Sequence, residues 1–241
     1  MLRFVLLRRS LAIILGALAI ALTTPAQARD ERQGAPGKFD FYVLALSWSP
    51  SFCEAQGNRA PRDQCGGRPY SFVVHGLWPQ YERGFPEYCQ VPAPRLNRNI
   101  VSMMLDIMPS PRLVFHQWDK HGTCSGLPAR GYFESVRKAY AVVKIPSQYL
   151  NLKRPVTVSP DEVEEAFIKA NPGLTREGIA VTCDNRLREV RICMTREFAF
   201  MPCEETNRRA CRREKVIMPP IRGGARSAED DGAVEIQAKS E

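Results

Sequence analysis

The sequence predicts an α+β fold: a central, mainly antiparallel sheet flanked by helices and stapled by disulfides. Three observations predict it. Strand-like apolar runs mix irregularly with helical patterns and show no βαβ rhythm. No internal repeat or second domain interrupts the 241 residues, whose central part has the size of one domain with a real core. The eight cysteines, Cys53, Cys65, Cys89, Cys124, Cys183, Cys193, Cys203 and Cys211, are even in number, and none forms a C-x-x-C pair of the kind structural zinc prefers. Spacing alone leaves roughly a hundred disulfide pairings open.

The amino terminus reads as an export signal. Arg3, Arg8 and Arg9 precede the apolar run Leu11 to Leu22, and Ala26-Gln27-Ala28 ends it with a small-x-small cleavage pattern. The run is too short for a lasting membrane span, so residues 1–28 are expected to be removed and no membrane contact is expected afterwards. Export to an oxidising compartment, periplasmic or extracellular, agrees with the cysteine count. Without the three signal arginines the net charge falls from +8 to +5. That balance suits a polyanion but does not identify one.

Residues 29–38 are polar and read as a mobile leader. The aromatic and branched run Phe39 to Trp48 reads as a buried strand that stops before Pro50. Ser51 to Pro69 reads as a loop, and Tyr70 to Leu77 as a second buried strand with His75 near its carboxyl end. Tyr81 to Arg95, with three prolines, is a loop held by Cys89. Apolar residues at 100, 101, 104, 105 and 108 predict a helix over 97–108, stopped by Pro109. Gly131 to Ile145 is again helical in spacing.

Ser159-Pro160-Asp161-Glu162 is a helix start with a capping box, and that helix should run to about Ala170. Ile179 to Cys183, Leu187 to Met194 and Phe198 to Cys203 read as three short strands. Residues 222–241 are small, charged and glycine-bearing, the composition of a disordered tail. A single domain over 39–221 remains.

Histidine is where the chemistry is sought. The chain has three, His75 in FVVHGLWPQ and His116 and His121 in FHQWDKHGTC, and each motif also carries a tryptophan. Two imidazoles flanking a scissile bond can accept and donate protons near neutral pH. RNA suits that pair because its 2′-hydroxyl is an internal nucleophile, and Lys120 offers a cation for the charge that builds on phosphorus. Trp78 offers a face for an unstacked base. Trp118 is expected to pack in the core instead, and Asp119 to be surface charge. Gln80 and Tyr81 are plausible neighbours of a base. A metal site is the main rival, but His116 and His121 are five residues apart, about 140° around a helix, where paired helical ligands want four. No cofactor or metal is expected.

FVVHGLWPQ and FHQWDKHGTC resemble the two active-site segments of the ribonuclease T2 family of exported endoribonucleases. ALSWSPSFC, the Tyr132-Phe133 pair and LREVRIC resemble its framework, so the likeness runs from Phe39 to Cys203 or Cys211. The short signal and the absence of N-x-S/T sites suit a bacterial type. The resemblance implies cleavage of single-stranded RNA through 2′,3′-cyclic phosphates to 3′-phosphates, by a monomer. It also implies His75 as general acid, His121 as general base, His116 on the substrate phosphate, Lys120 on the phosphorane and Trp78 stacked on the base 5′ to the cut. It implies the disulfides Cys89–Cys124, Cys53–Cys65, Cys193–Cys203 and Cys183–Cys211.

One position departs from the family pattern. The family commonly has glutamate after the phosphate-binding histidine, and here Gln117 stands there. Glutamine can donate a hydrogen bond to a phosphoryl oxygen but cannot carry charge, and the loss of a carboxylate should lower the pKa of His121. Two functions follow: an active endoribonuclease with its pH profile moved downward, or an RNA-binding protein on the same scaffold.

Overall fold

In the computed structural model, which describes residues 34–221, the chain runs β1 (Phe41–Trp48), α1 (Ser49–Gln56), α2 (Arg62–Cys65), β2 (Phe72–Gln80), α3 (Arg98–Ser102), α4 (Pro111–Lys120) and α5 (Ala129–Val142). It continues through β3 (Val156–Val158), α6 (Pro160–Ala170), β4 (Ile179–Cys183), β5 (Leu187–Met194), α7 (Glu204–Arg208) and β6 (Val216–Met218). The main sheet is antiparallel with order β2-β1-β5-β4, and β3 pairs with β6 in a two-stranded ribbon. The α+β class is as the sequence implies.

Alternation along β1 divides the molecule. Tyr42, Leu44, Leu46 and Trp48 face a core completed by α4, α5 and α6 through Val114, Trp118, Phe133, Val136, Val163 and Phe167. Phe41 and Val43 face the other way, with Cys193, Cys203 and Trp78. This second face carries the site. The start of α6 has the predicted capping box: Ser159 Oγ accepts from Glu162 N, and the Glu162 carboxylate accepts from Ser159 N. The signal and the tail lie outside the described residues, as do residues 29–33 of the leader. Within the leader's remainder, Gly37 N donates to Cys124 O at 2.9 Å.

Four local expectations are corrected. Ser51 to Pro69 is not one loop but holds most of α1 and all of α2, α1 starting with Pro50 in its first turn. The second strand is Phe72–Gln80, so His75 lies mid-strand rather than near its end. The helix expected over 97–108 ends at Ser102. Arg137 takes the Met103 carbonyl (Nε 3.2 Å, Nη2 2.7 Å), while Ile107 N turns to Met104 O and Ile107 O accepts from Val74 N on β2. Arg137 thus claims a carbonyl that further helix would need, and the contact of Ile107 O with Val74 N covers the sheet edge. Phe198 to Cys203 forms no strand beyond a single bridge, Met194 with Phe200, because Phe198 has a left-handed φ of 70°.

The disulfides join Cys53 to Cys65, Cys89 to Cys124, Cys183 to Cys211 and Cys193 to Cys203. Among the described residues no helix is long and apolar enough to cross a membrane.

Candidate active site

Two irregularities bring the motifs together. In the β1–β2 ladder Ala45 pairs with Gly76 and Leu46 with Val74, so His75 is the extra residue of a β-bulge. A bulge re-aims its side chain, and here it lets His75 share the cleft face with Trp78, three residues on, against strict alternation. The second irregularity is the close approach of α4 to the edge strand β2. A Cβ on Gly76 would lie 2.0 Å from Gln117 Oε1 and 2.4 Å from Trp78 Nε1. One on Gly122 would lie 2.5 Å from the Trp118 ring. Both glycines that follow the motif histidines are there for space.

α4 starts with Ser110, whose Oγ accepts from Leu113 N, and with Pro111 in its first turn. Val114 and Trp118 anchor it in the core, and Trp118 Nε1 donates to Pro94 O at 2.7 Å, the packing role expected of it. The adjoining side of the helix presents His116, Gln117 and Lys120, and His121 follows as its C-cap residue. Together with His75 and Trp78 they line one cleft of about 250 Å³, so all six site residues read from the sequence meet there. Gln80 lines it too, whereas Tyr81 packs against the core. Asp119 is exposed.

The environments of the histidines differ. His121 is buried, its Nδ1 has no hydrogen-bond partner, and its ring stacks on Trp78 with centroids 5.3 Å apart. Burial first, then the charges of Lys120, His75 and His116, push its pKa well below the usual histidine value. The neutral ring that results can accept a proton. His116 is exposed, and its pKa is lowered by partial desolvation, then by Lys120 and His75, with Asp119 opposing.

His75 instead contacts a carboxylate: its Nδ1 is hydrogen-bonded to Glu189 Oε1. The other oxygen of Glu189 accepts from Arg191 Nε at 3.0 Å and Nη2 at 2.8 Å. Burial would raise the pKa of Glu189, but the bond and charge of His75, with those of Arg191, hold it down to about 2.

Gln117 is buried, and its Oε1 accepts from Trp78 Nε1 at 2.8 Å. An indole N–H can only donate, so the amide oxygen must face it and Nε2 must turn away from it. Lys120 Nζ pairs with Glu87 Oε2 at 3.0 Å. The Glu87 loop is laced to the end of α4 by two neighbours: Tyr88 N donates to Lys120 O at 2.8 Å, and Cys89 is bonded to Cys124.

Sequence reasoning missed Glu87, Glu189 and Arg191. Glu189 and Arg191 did leave a signal, since two opposite charges at i and i+2 share one face of a strand that also carries Arg188, and buried charge demands partners. Glu87 left only its nearness to Cys89. Phe85, Thr206 and Arg209 also line the cleft and were not singled out. Among the described residues no group of three or more His, Cys, Asp or Glu side chains is placed to share an ion.

The disulfide-stapled α+β fold gathers three histidines, a lysine and two arginines around one cleft, groups that can exchange protons and hold an anion. The chain belongs to the ribonuclease T2 family, whose family model matches residues 39–203, and it is an endoribonuclease. It is 34% identical over 194 residues to a ribonuclease of Aeromonas hydrophila, covering 78% of this chain and 86% of that one. It is 32% identical over 185 residues to a probable ribonuclease of Haemophilus influenzae, covering 71% and 64%. Among solved structures, RNase NT in complex with 5′-AMP superposes with a TM-score of 0.61 at 24% identity, covering 76% of this chain and 99% of that one. That likeness speaks for the fold.

Proposed function

We propose that the chain is an exported, metal-independent endoribonuclease that cleaves single-stranded RNA by transesterification to 2′,3′-cyclic phosphates and then hydrolyses these to 3′-phosphates. His121 takes the proton of the 2′-hydroxyl, and the oxygen attacks phosphorus. His75 gives a proton to the departing 5′-oxygen. His116, Lys120 and the Nε2 of Gln117 hold the phosphoryl oxygens as negative charge builds on them. The base 5′ to the cut lies against Trp78. In the second step the roles reverse, and water attacks the cyclic ester.

The observation that carries this reading is the divergence of the two histidines in one cleft. His121 is buried and disposed to be neutral, as a base must be, whereas His75 is backed by a carboxylate that accommodates the imidazolium of an acid. Four disulfides in so small a domain fit an oxidising compartment, periplasmic or extracellular. The place of Gln117 supports catalysis over RNA binding alone, because its amide is bonded to Trp78 and still offers a donor, and Lys120 and both proton-transferring histidines line the same cleft.

The test uses the purified mature chain with RNA, with DNA and with EDTA. RNA cleavage that spares DNA and is undiminished by EDTA is expected. His75→Ala and His121→Ala should each lower kcat by roughly 10²–10⁴-fold, the usual contribution of a general acid or base. Either variant cleaving like wild type would overturn the assignment, and RNA binding without cleavage at any pH would favour the binding-only protein.

A further inference from the structure

Glu189 and Arg191 belong to neither motif, yet Glu189 is bonded directly to His75. We infer that Glu189 is a positioning residue for His75, braced by Arg191, which fixes the imidazole proton on Nδ1 and so aims Nε2 at the leaving 5′-oxygen. The inference rests on the acid role given to His75 above.

The geometry leaves little freedom. Glu189 is 11% exposed, and Ser47, its partner across the β1–β5 ladder, donates from Oγ to the same Oε1 that His75 meets. Oε2 is engaged twice by Arg191, which can only donate, so Oε1 is the oxygen turned to the imidazole. A carboxylate can only accept, so His75 Nδ1 must carry a proton. The Arg191 guanidinium also lies 5.1 Å from the centroid of Trp78, and the edge of His75 meets the same ring at 5.2 Å. The base platform and the acid are therefore held by one carboxylate–guanidinium pair.

The proton balance gives Glu189 its function. In the first step the P–O5′ bond breaks while Nε2 of the imidazolium passes its proton to O5′. The imidazole left behind keeps its other proton on Nδ1, still donated to Oε1, so no bond is lost as the charge moves. The bulge at His75 supplies the aim, and Glu189 supplies the tautomer.

This predicts an unusual order of variants. In Glu189→Gln the two donors of Arg191 would hold the amide oxygen, which turns Nε2 of the new side chain toward His75 Nδ1. Two donors then face each other unless Nδ1 gives up its proton, so the tautomer required after proton transfer is penalised. Glu189→Gln should lower kcat on RNA by roughly 10²–10⁴-fold, the range for loss of a general acid, with KM little changed. Glu189→Ala, which leaves room for water, should lose less. A packing role predicts the reverse order, because glutamine keeps the shape and alanine does not.

Leaving-group dependence tests this: RNA is compared with a ribonucleoside 3′-(4-nitrophenyl phosphate), whose leaving group departs without a proton. Glu189→Gln should be slow on RNA and close to wild type on the nitrophenyl ester, and so should His75→Ala. If His75→Ala is equally slow on both, the acid role itself fails. If His75→Ala is rescued but Glu189→Gln is not, or if glutamine is milder than alanine, the positioning role fails. The ¹⁵N imidazole spectrum of the wild-type chain supplies a check that needs no variant: a neutral His75 should carry its proton on Nδ1, and a proton on Nε2 would overturn the inference.

Discussion

Replacing Gln117 by glutamate, the residue the family commonly has there, should move the acid limb of the pH profile upward. The limb of kcat/KM reports protonation of the base in the free enzyme. In this structure the base His121 is held low by burial, then by Lys120, His75 and His116, so activity should persist into acid until His121 takes a proton. Gln117 and His121 are one helical turn apart, with His121 N donating to Gln117 O at 3.0 Å. Side chains so related lie about 6 Å apart. At an effective dielectric constant of about 20, a new negative charge there stabilises the imidazolium by up to about 3 kcal/mol, or about two pKa units. The cleft is open to water, so a rise of roughly one unit is the lower expectation. The sign follows directly: a raised pKa means the base is lost at a higher pH. The assay is kcat/KM on RNA from acid to neutral pH for wild type and Gln117→Glu, with thermal unfolding to verify folding. Superimposable profiles would refute the electrostatic argument.

Two further predictions concern the frame of the site. Gly76→Ala places a methyl group on the Gln117–Trp78 hydrogen bond, and overpacking of this kind costs about 1–3 kcal/mol. Thermal denaturation should show a Tm lower by roughly 2–10 °C, and an unchanged Tm would contradict the close approach of α4 to β2. Removing the Cys89–Cys124 bridge in a double serine variant frees a link across 35 residues, worth about 4 kcal/mol by loop closure. Denaturant unfolding should show that loss, and kcat should fall more than RNA binding as the Glu87 loop slackens along Lys120; activity equal to wild type would argue that the lacing has no catalytic role.

The sequence was most informative where structure is local. The capping box at Ser159, the strands β4 and β5, and the two histidine motifs could all be read from neighbours along the chain. It was least informative where distant segments compete for the same groups. The helix after Asn97 stops early because Arg137, from α5, takes a carbonyl that spacing alone would leave in the helix. The strands β3 and β6, three residues each, are too short to show a period. In the site, His75, Lys120 and His121 were visible because their motifs are compact. Glu189 lies 114 residues from the histidine it serves, and Glu87 lies in a loop without pattern, so strand pairing and a disulfide had to bring each into place. The bulge that turns His75 into the cleft depends on the β1–β2 register and has no signature in either strand alone.

In the proposed reaction RNA supplies its own nucleophile while two histidines move the protons. Phosphorus-31 spectra of RNA digested by the wild-type chain in EDTA test it most directly. A 2′,3′-cyclic phosphate signal should appear first and then give way to a 3′-monophosphate. Products bearing 5′-phosphates, or cleavage that requires an added metal ion, would contradict it.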